Sequence, residues 1–562
     1  MGDLNQTSSS DIDPEQIARL PEFYSPQLSP ENDKLAFYHD KSGRMELYSM
    51  DLSTGEWSQW SEGNVPRNLS GGIKWDESNE RIYYHVDQDG NEQNDIHAIT
   101  PDGKTEPVIE VDGQSYIVAV DPDNTFLLYV SDEQTQLNVY VYDKASGKSR
   151  KITNHSRPVW PWQMSLSPDG EKLAYVTNES EDPQNQDVYV TEIADSEPRQ
   201  LDIGENGAEA TVADWFPDGK RLLIGDNSTN YGRVGMYDLE SDQVEWLSDN
   251  EVDETPGSVA PDGSIVTASR TRNAATTIGV YQVASDESYE IDLAEGVTSH
   301  VGGAGEGFID DRTVCLVHQS GAQRRYIVTY DIETDTSETL IEARYGDIDP
   351  NIFVEPEYIR YESEDGLEIG ALLYEPHHRV ESNTSGPAVV YPHGGPIAQS
   401  KRSFDTISQY LVEEGYTVLR PNYRGSTGRG REFKERIRND WGGMEQIDIR
   451  RGGEWLAAHD RVDGDRIAVY GISYGGYSAY CQLTMHPGPW AAGVAWVGMT
   501  DLSALYEESM PHFQSLLEDQ LGDPEDNEAF YRDRSPIEHV ENLTAPLYIL
   551  HGKNDPRCPI SQ

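Results

Sequence analysis

Residues 466–487 read Arg-Ile-Ala-Val-Tyr-Gly-Ile-Ser-Tyr-Gly-Gly-Tyr-Ser-Ala-Tyr-Cys-Gln-Leu-Thr-Met-His-Pro. The apolar run 467–470 predicts a buried strand. Gly471-Ile472-Ser473-Tyr474-Gly475 follows at once. The next residues, with Ala479, Leu483 and Met485, predict a helix that stops before Pro487. A serine on the turn between strand and helix, with glycines that let the two backbones approach, has the form of a nucleophile elbow. The same five residues alone would also fit a plain glycine-rich loop; the strand before and the helix after favour the nucleophile.

Strands and helices alternate on both sides of this stretch. Residues 358–361 and 367–374 flank Glu364-Asp365-Gly366, a hairpin turn. A buried strand at 387–391 leads into His393-Gly394-Gly395-Pro396. A helix at about 403–414, a strand at 416–419, a polar loop at 422–428 and a helix at 447–459 come before the elbow, and strands at 493–497 and 546–550 come after it. The pattern predicts an α/β-hydrolase domain over 350–562, with a doubly wound, mostly parallel sheet and its site at the carboxyl ends of the strands.

Acyl transfer needs a nucleophile, a base, a group that orients the base, and donors for the oxyanion. Ser473 is the candidate nucleophile. The N–H of Tyr474, just after it, and an N–H from the glycines of 393–396 are the candidate donors. The orienting acid belongs after a later strand. Asp555 sits there, 82 positions past Ser473, in His551-Gly552-Lys553-Asn554-Asp555-Pro556-Arg557. A surface-turn aspartate is the competing reading, weaker because of that position.

Residues 21–349 have a different texture. An apolar residue, a polar turn and a strand recur, most clearly at Leu166-Ser167-Pro168-Asp169-Gly170 and Trp215-Phe216-Pro217-Asp218-Gly219. Corresponding turn residues fall at 30, 76, 122, 168, 217, 261 and 310, a spacing of 44 to 49. A period in the forties with several strands per copy predicts one propeller blade per copy, hence a seven-bladed β-propeller. The Pro-Asp-Gly turns are hairpin chemistry. Trp160 and Trp162 are expected to pack between blades. Residues 1–20 form an N-terminal segment, expected to be disordered over 1–13 with one or two helical turns over 14–20.

Lys and Arg number 43 against 100 Asp and Glu, a formal net charge of -57. The acids are spread through loops and turns, which predicts adaptation to high salt, where self-repulsion is screened. The same charge disfavours nucleic acid and anionic membranes as partners. Three cysteines, Cys315, Cys481 and Cys558, without C-x-x-C spacing argue for a reducing compartment and against a zinc site. The polar first residues do not form a signal peptide, and no apolar stretch has membrane length. The expectation is a soluble cytoplasmic protein without metal or cofactor, its oligomeric state left open.

These motifs resemble the prolyl oligopeptidase family of serine peptidases, most closely its acylaminoacyl-peptidase-like branch. Gly471–Tyr477, His393–Pro396, Asn422–Ser426 and His551–Arg557 all match the family pattern, and the propeller before the hydrolase matches its architecture. The resemblance implies an oligopeptidase or aminopeptidase whose propeller restricts access to short peptides. It also implies that Asp555 orients a histidine, that Gly395 and Tyr474 supply the oxyanion donors, and that Arg557 contacts a substrate carbonyl. Arg557 reads equally as a solvated arginine or an ion-pair partner. In this fold the order is Ser, Asp, His. The sequence stops at Gln562, seven positions past Asp555. The expectation is therefore a fragment lacking the last strand and helix of the sheet, and a poor peptidase as it stands, because a serine without its base is a weak nucleophile. An esterase or other acyl hydrolase, and a propeller binding protein with an inactive hydrolase, are the alternatives.

Overall fold

The computed structural model describes residues 14–562 except 67, 68, 70, 88, 89, 196, 249, 250, 286 and 383. The expectation of disorder over 1–13 lies outside the described residues. Helix α1 (Pro14–Ala18) opens the described chain. It packs at the joint between the seventh blade, through Ala322, and the hydrolase. Ile17 and Leu20 pack with Ile348, Phe353, Phe404 and Tyr410, which belong to the far end of the chain.

Seven four-stranded antiparallel meanders come next, at 23–59, 73–109, 115–151, 164–200, 210–246, 253–290 and 297–341. They are the seven blades of the propeller. The fourth blade illustrates why each turn recurs. Asp169 Oδ1 accepts from Ser167 Oγ at 2.6 Å and from Glu171 N at 3.0 Å, and Gly170 takes φ 72°. That fixes the hairpin so that Leu166 faces Leu173. The second strand, Lys172–Thr177, is buried on both faces. A blade covers its neighbour on each side, which removes the usual in-out alternation. One apolar cluster joins the third and fourth blades through Val130, Val139, Leu173 and Tyr175. The ring closes the same way: Phe23, Leu35 and Phe37 of the first blade pack on Cys315, Ile327 and Ile341 of the seventh.

The second sheet carries, among the described residues, β1 (Glu357–Glu362), β2 (Glu368–Tyr374), β3 (Gly386–Val390), β4 (Thr417–Asn422), β5 (Val462–Ile472), β6 (Trp490–Trp496) and β7 (Leu547–Leu550). Their spatial order is β1-β2-β4-β3-β5-β6-β7. The β1–β2 and β2–β4 pairs are antiparallel and the rest parallel, the arrangement expected of an α/β-hydrolase. Helices α2 (Thr406–Glu413), α3 (Met444–Ala457) and α4 (Tyr474–Thr484) cover the sheet, and α5 (Pro511–Leu521) follows β6. Every residue of α4 is buried. Strand β5 is longer than the four apolar residues suggest, because Val462 already pairs with Gly386 of β3 ahead of an irregularity, and Ile467 resumes the ladder at Ala388. With β3, β5, β6 and β7 parallel and adjacent, the loops after β3, β5 and β7 emerge at one end of the sheet. Among the described residues no helix is long and apolar enough to cross a membrane.

Candidate active site

Ser473 stands where β5 turns into α4, with φ 59° and ψ -120°. Few residues other than glycine hold such a backbone, and it persists only where the surroundings enforce it. Here they do. The Ser473 N–H donates to the Trp496 carbonyl at 2.9 Å, tying the turn to β6. A Cβ on Gly471 would strike the Gly475 carbonyl, and one on Gly475 the Pro392 carbonyl. The glycines of the motif are therefore a packing requirement of the elbow.

The loop after β3 lies against the serine. A Cβ on Gly394 would stand 3.6 Å from Ser473 Cβ and 4.0 Å from Tyr474 N. Gly395 follows, exposed and at φ 124°. His393 braces this loop from below. Its Nδ1 donates to the Gly394 carbonyl at 2.8 Å, and Nε2 faces Ser426 Oγ at 2.8 Å. The ring stacks on Tyr423 at 4.3 Å, and the Tyr423 hydroxyl donates to the His393 carbonyl at 2.9 Å. Burial pushes the imidazole down to about 4, so it is neutral at pH 7.

Tyr474 is anchored from the other side. Its hydroxyl donates to Glu445 Oε1 at 3.0 Å, and its ring meets Trp441 edge-on at 4.9 Å. Glu445 is fully buried on α3 and also accepts from Gly442 N at 2.5 Å and Gly443 N at 3.0 Å. Burial raises its carboxyl to about 7 despite these donors. Arg424 of the loop after β4 donates to Asp448 on α3 at 2.8 Å and to Asp365 in the first hairpin at 3.0 Å. It clamps three elements under the site without touching the serine's loop.

After β7, Asp555 Oδ1 accepts from the N–H groups of Arg557 and Cys558, both at 2.9 Å, and so shapes its own turn. The buried Cys558 thiol lies within hydrogen-bonding reach of Ser473, which brings the Asp555 loop against the elbow. Burial pushes this thiol up to about 12, so it stays a neutral neighbour. His551 Nε2 donates to the Cys558 carbonyl at 2.6 Å. Arg557 reaches across to the propeller: its Nε stands 2.9 Å from both carboxylate oxygens of Glu92 in the second blade. Arg557 is thus an ion-pair partner of the propeller in this structure.

A cavity of about 730 Å³ lies between the two domains. The hydrolase lines it with Gly395, Trp441, Phe513 and Arg557, and the propeller with Glu92 and Trp162. Trp162 corrects an expectation. It does not pack between blades: it is 66% exposed, on the cavity wall, because Pro161 carries the chain out of the blade at that point. Trp160 is half-buried and lines the same cavity. Sequence reasoning also missed Glu445, Trp441, Phe513 and Glu92. The one available signal was a glutamate among apolar positions on the first turn of a covered helix.

The molecule can now be set beside known proteins. Residues 402–562 match the model of the prolyl oligopeptidase family, and residues 95–301 match the TolB beta propeller domain. The hydrolase half belongs to the prolyl oligopeptidase family. Ser473, Tyr474, Asp555 and Arg557 lie within the matched residues, and Gly395 just before them. Dipeptidyl aminopeptidase BIII of Pseudoxanthomonas mexicana is 23% identical over 504 residues, covering 79% of this chain and 72% of that one. The acylamino-acid-releasing enzyme of Rattus norvegicus is 28% identical over 207 residues, 35% of this chain and 28% of that one. The solved puromycin-hydrolyzing peptidase of Mycobacterium tuberculosis superposes with a TM-score of 0.85 at 19% identity, over 98% of this chain and 89% of that one, which gives the propeller-plus-hydrolase fold.

Proposed function

We propose that this chain is a serine-type peptidase that hydrolyses short peptides through an acyl-enzyme. Ser473 attacks the scissile carbonyl. The base that takes the hydroxyl proton and returns it to the leaving amine would be a histidine oriented by Asp555; residues 556–562 contain none. The N–H groups of Tyr474 and Gly395 receive the oxyanion. Water then repeats the cycle on the ester. The observation that carries the reading is the enforced elbow at Ser473, pressed against the Gly394–Gly395 loop, whose Gly395 lines the cavity that the propeller walls on its other side. That wall restricts the substrate to short peptides.

The test is hydrolysis of aminoacyl and short peptidyl p-nitroanilides, with p-nitrophenyl esters alongside. In protein that carries the histidine base, peptide turnover lost by at least a hundredfold in Ser473→Ala is expected, whereas residues 1–562 alone should turn over peptides poorly. Turnover unchanged by that substitution, or confined to the esters, would overturn the reading. We place the protein in a high-salt cytoplasm. The support is its net charge of -57 together with three free, buried cysteines.

A further inference from the structure

Trp162 is exposed in a place where exposure has a use. It lines two cavities at once: the chamber beside Gly395, and a second cavity of about 660 Å³ that runs up the propeller axis and is walled by all seven blades. The residue therefore stands at the junction of chamber and channel. Its ring stacks on Trp160, with centroids 5.0 Å apart and planes 24° from parallel. Trp160 in turn meets His512 of α5 edge-on at 5.9 Å. The stack is a rigid arm. Pro158 and Pro161 restrict its backbone, and Val159 N and Gln163 N are bonded to the Leu137 and Trp160 carbonyls at 3.0 and 3.3 Å. Trp162 is 66% exposed even with Trp160 stacked on it. Ile397, Phe513 and Leu516 of the hydrolase line the same chamber and give it an apolar side.

We propose that the Trp160–Trp162 stack is a subsite for an aromatic side chain of the bound peptide, remote from the scissile bond. The inference rests on the peptidase reading and adds a side-chain preference that the elbow does not supply. A third ring laid on Trp162 would extend the stack in the offset geometry aromatic rings favour. It would bury apolar surface on both partners at little entropic cost, because the platform is already fixed. The subsite sits where the chamber opens into the propeller channel, so a peptide occupying it runs from the Gly395 loop toward the propeller axis.

The experiment is equilibrium binding of tetrapeptides to the full chain, followed by calorimetry and by quenching of tryptophan fluorescence. The probes are tetra-alanine and the four peptides that carry one phenylalanine. One placement should bind about tenfold more tightly than tetra-alanine. In Trp162→Ala the ratio should fall to about one, and Trp162→Phe should restore most of it. An exposed residue leaves the fold intact, and an unchanged melting temperature verifies that. If peptides bind but the ratio survives in Trp162→Ala, or lysine placed there outcompetes phenylalanine, the subsite is wrong and the peptidase reading stands. If no peptide of the series binds, both fall together.

Discussion

Ser473 pays for its exposure with a strained backbone, and the residues behind it hold the strain in place. Glu445 is the deepest of these. It holds Tyr474, whose N–H is the candidate oxyanion donor, through a single hydroxyl at 3.0 Å. Its carboxyl titrates at about 7 in the fold, against about 4.5 when unfolded. An acid with a raised folded value gives its full stabilising share below the unfolded value and loses it as the pH rises through the folded one. Stability should therefore decline between pH 5 and pH 8 by up to about 3 kcal/mol on account of this group. Glu445→Gln should flatten that decline in urea unfolding curves; an unchanged slope would mean the carboxyl is not what titrates. Asp214, half-buried on the propeller-axis cavity and likewise raised to about 7, adds a decline of the same sign.

At the scale of elements, the legible parts were those whose cause is local. The hairpin turn of each blade is written in four or five adjacent residues, so the period appears in the sequence. The elbow is legible for the same reason, since Gly471, Ser473 and Gly475 constrain one another within a single turn. Glu92 and Arg557 are 465 positions apart, and neither says anything about the other until the fold brings them together. The docking of α1 on the hydrolase was hidden similarly, because its apolar face names no partner.

For the whole molecule, charge is the governing quantity. A surplus of 57 negative charges repels itself across a compact body, and the repulsion is long-ranged in dilute salt. The Debye length shrinks from about 10 Å at 0.1 M to about 3 Å at 1 M. The melting temperature should therefore rise steeply from dilute to molar potassium chloride, and equal melting in both would refute the salt-adapted reading.

The same ions act on the joint between the domains. On one edge, the chain leaves α1 for the first blade beside the segment that returns from the seventh, and Arg324 donates to the Pro21 carbonyl there at 2.8 Å. Round the ring, the fourth and fifth blades meet the hydrolase through Arg157–Asp519 at 3.0 Å and Lys434–Glu209. Covalent tethers on one side and ion pairs on the other make a hinge with a clasp. Screening weakens the two ion pairs of the clasp, while the Arg431 N–H bond to the Asn230 carbonyl at 2.7 Å on the same side does not depend on salt.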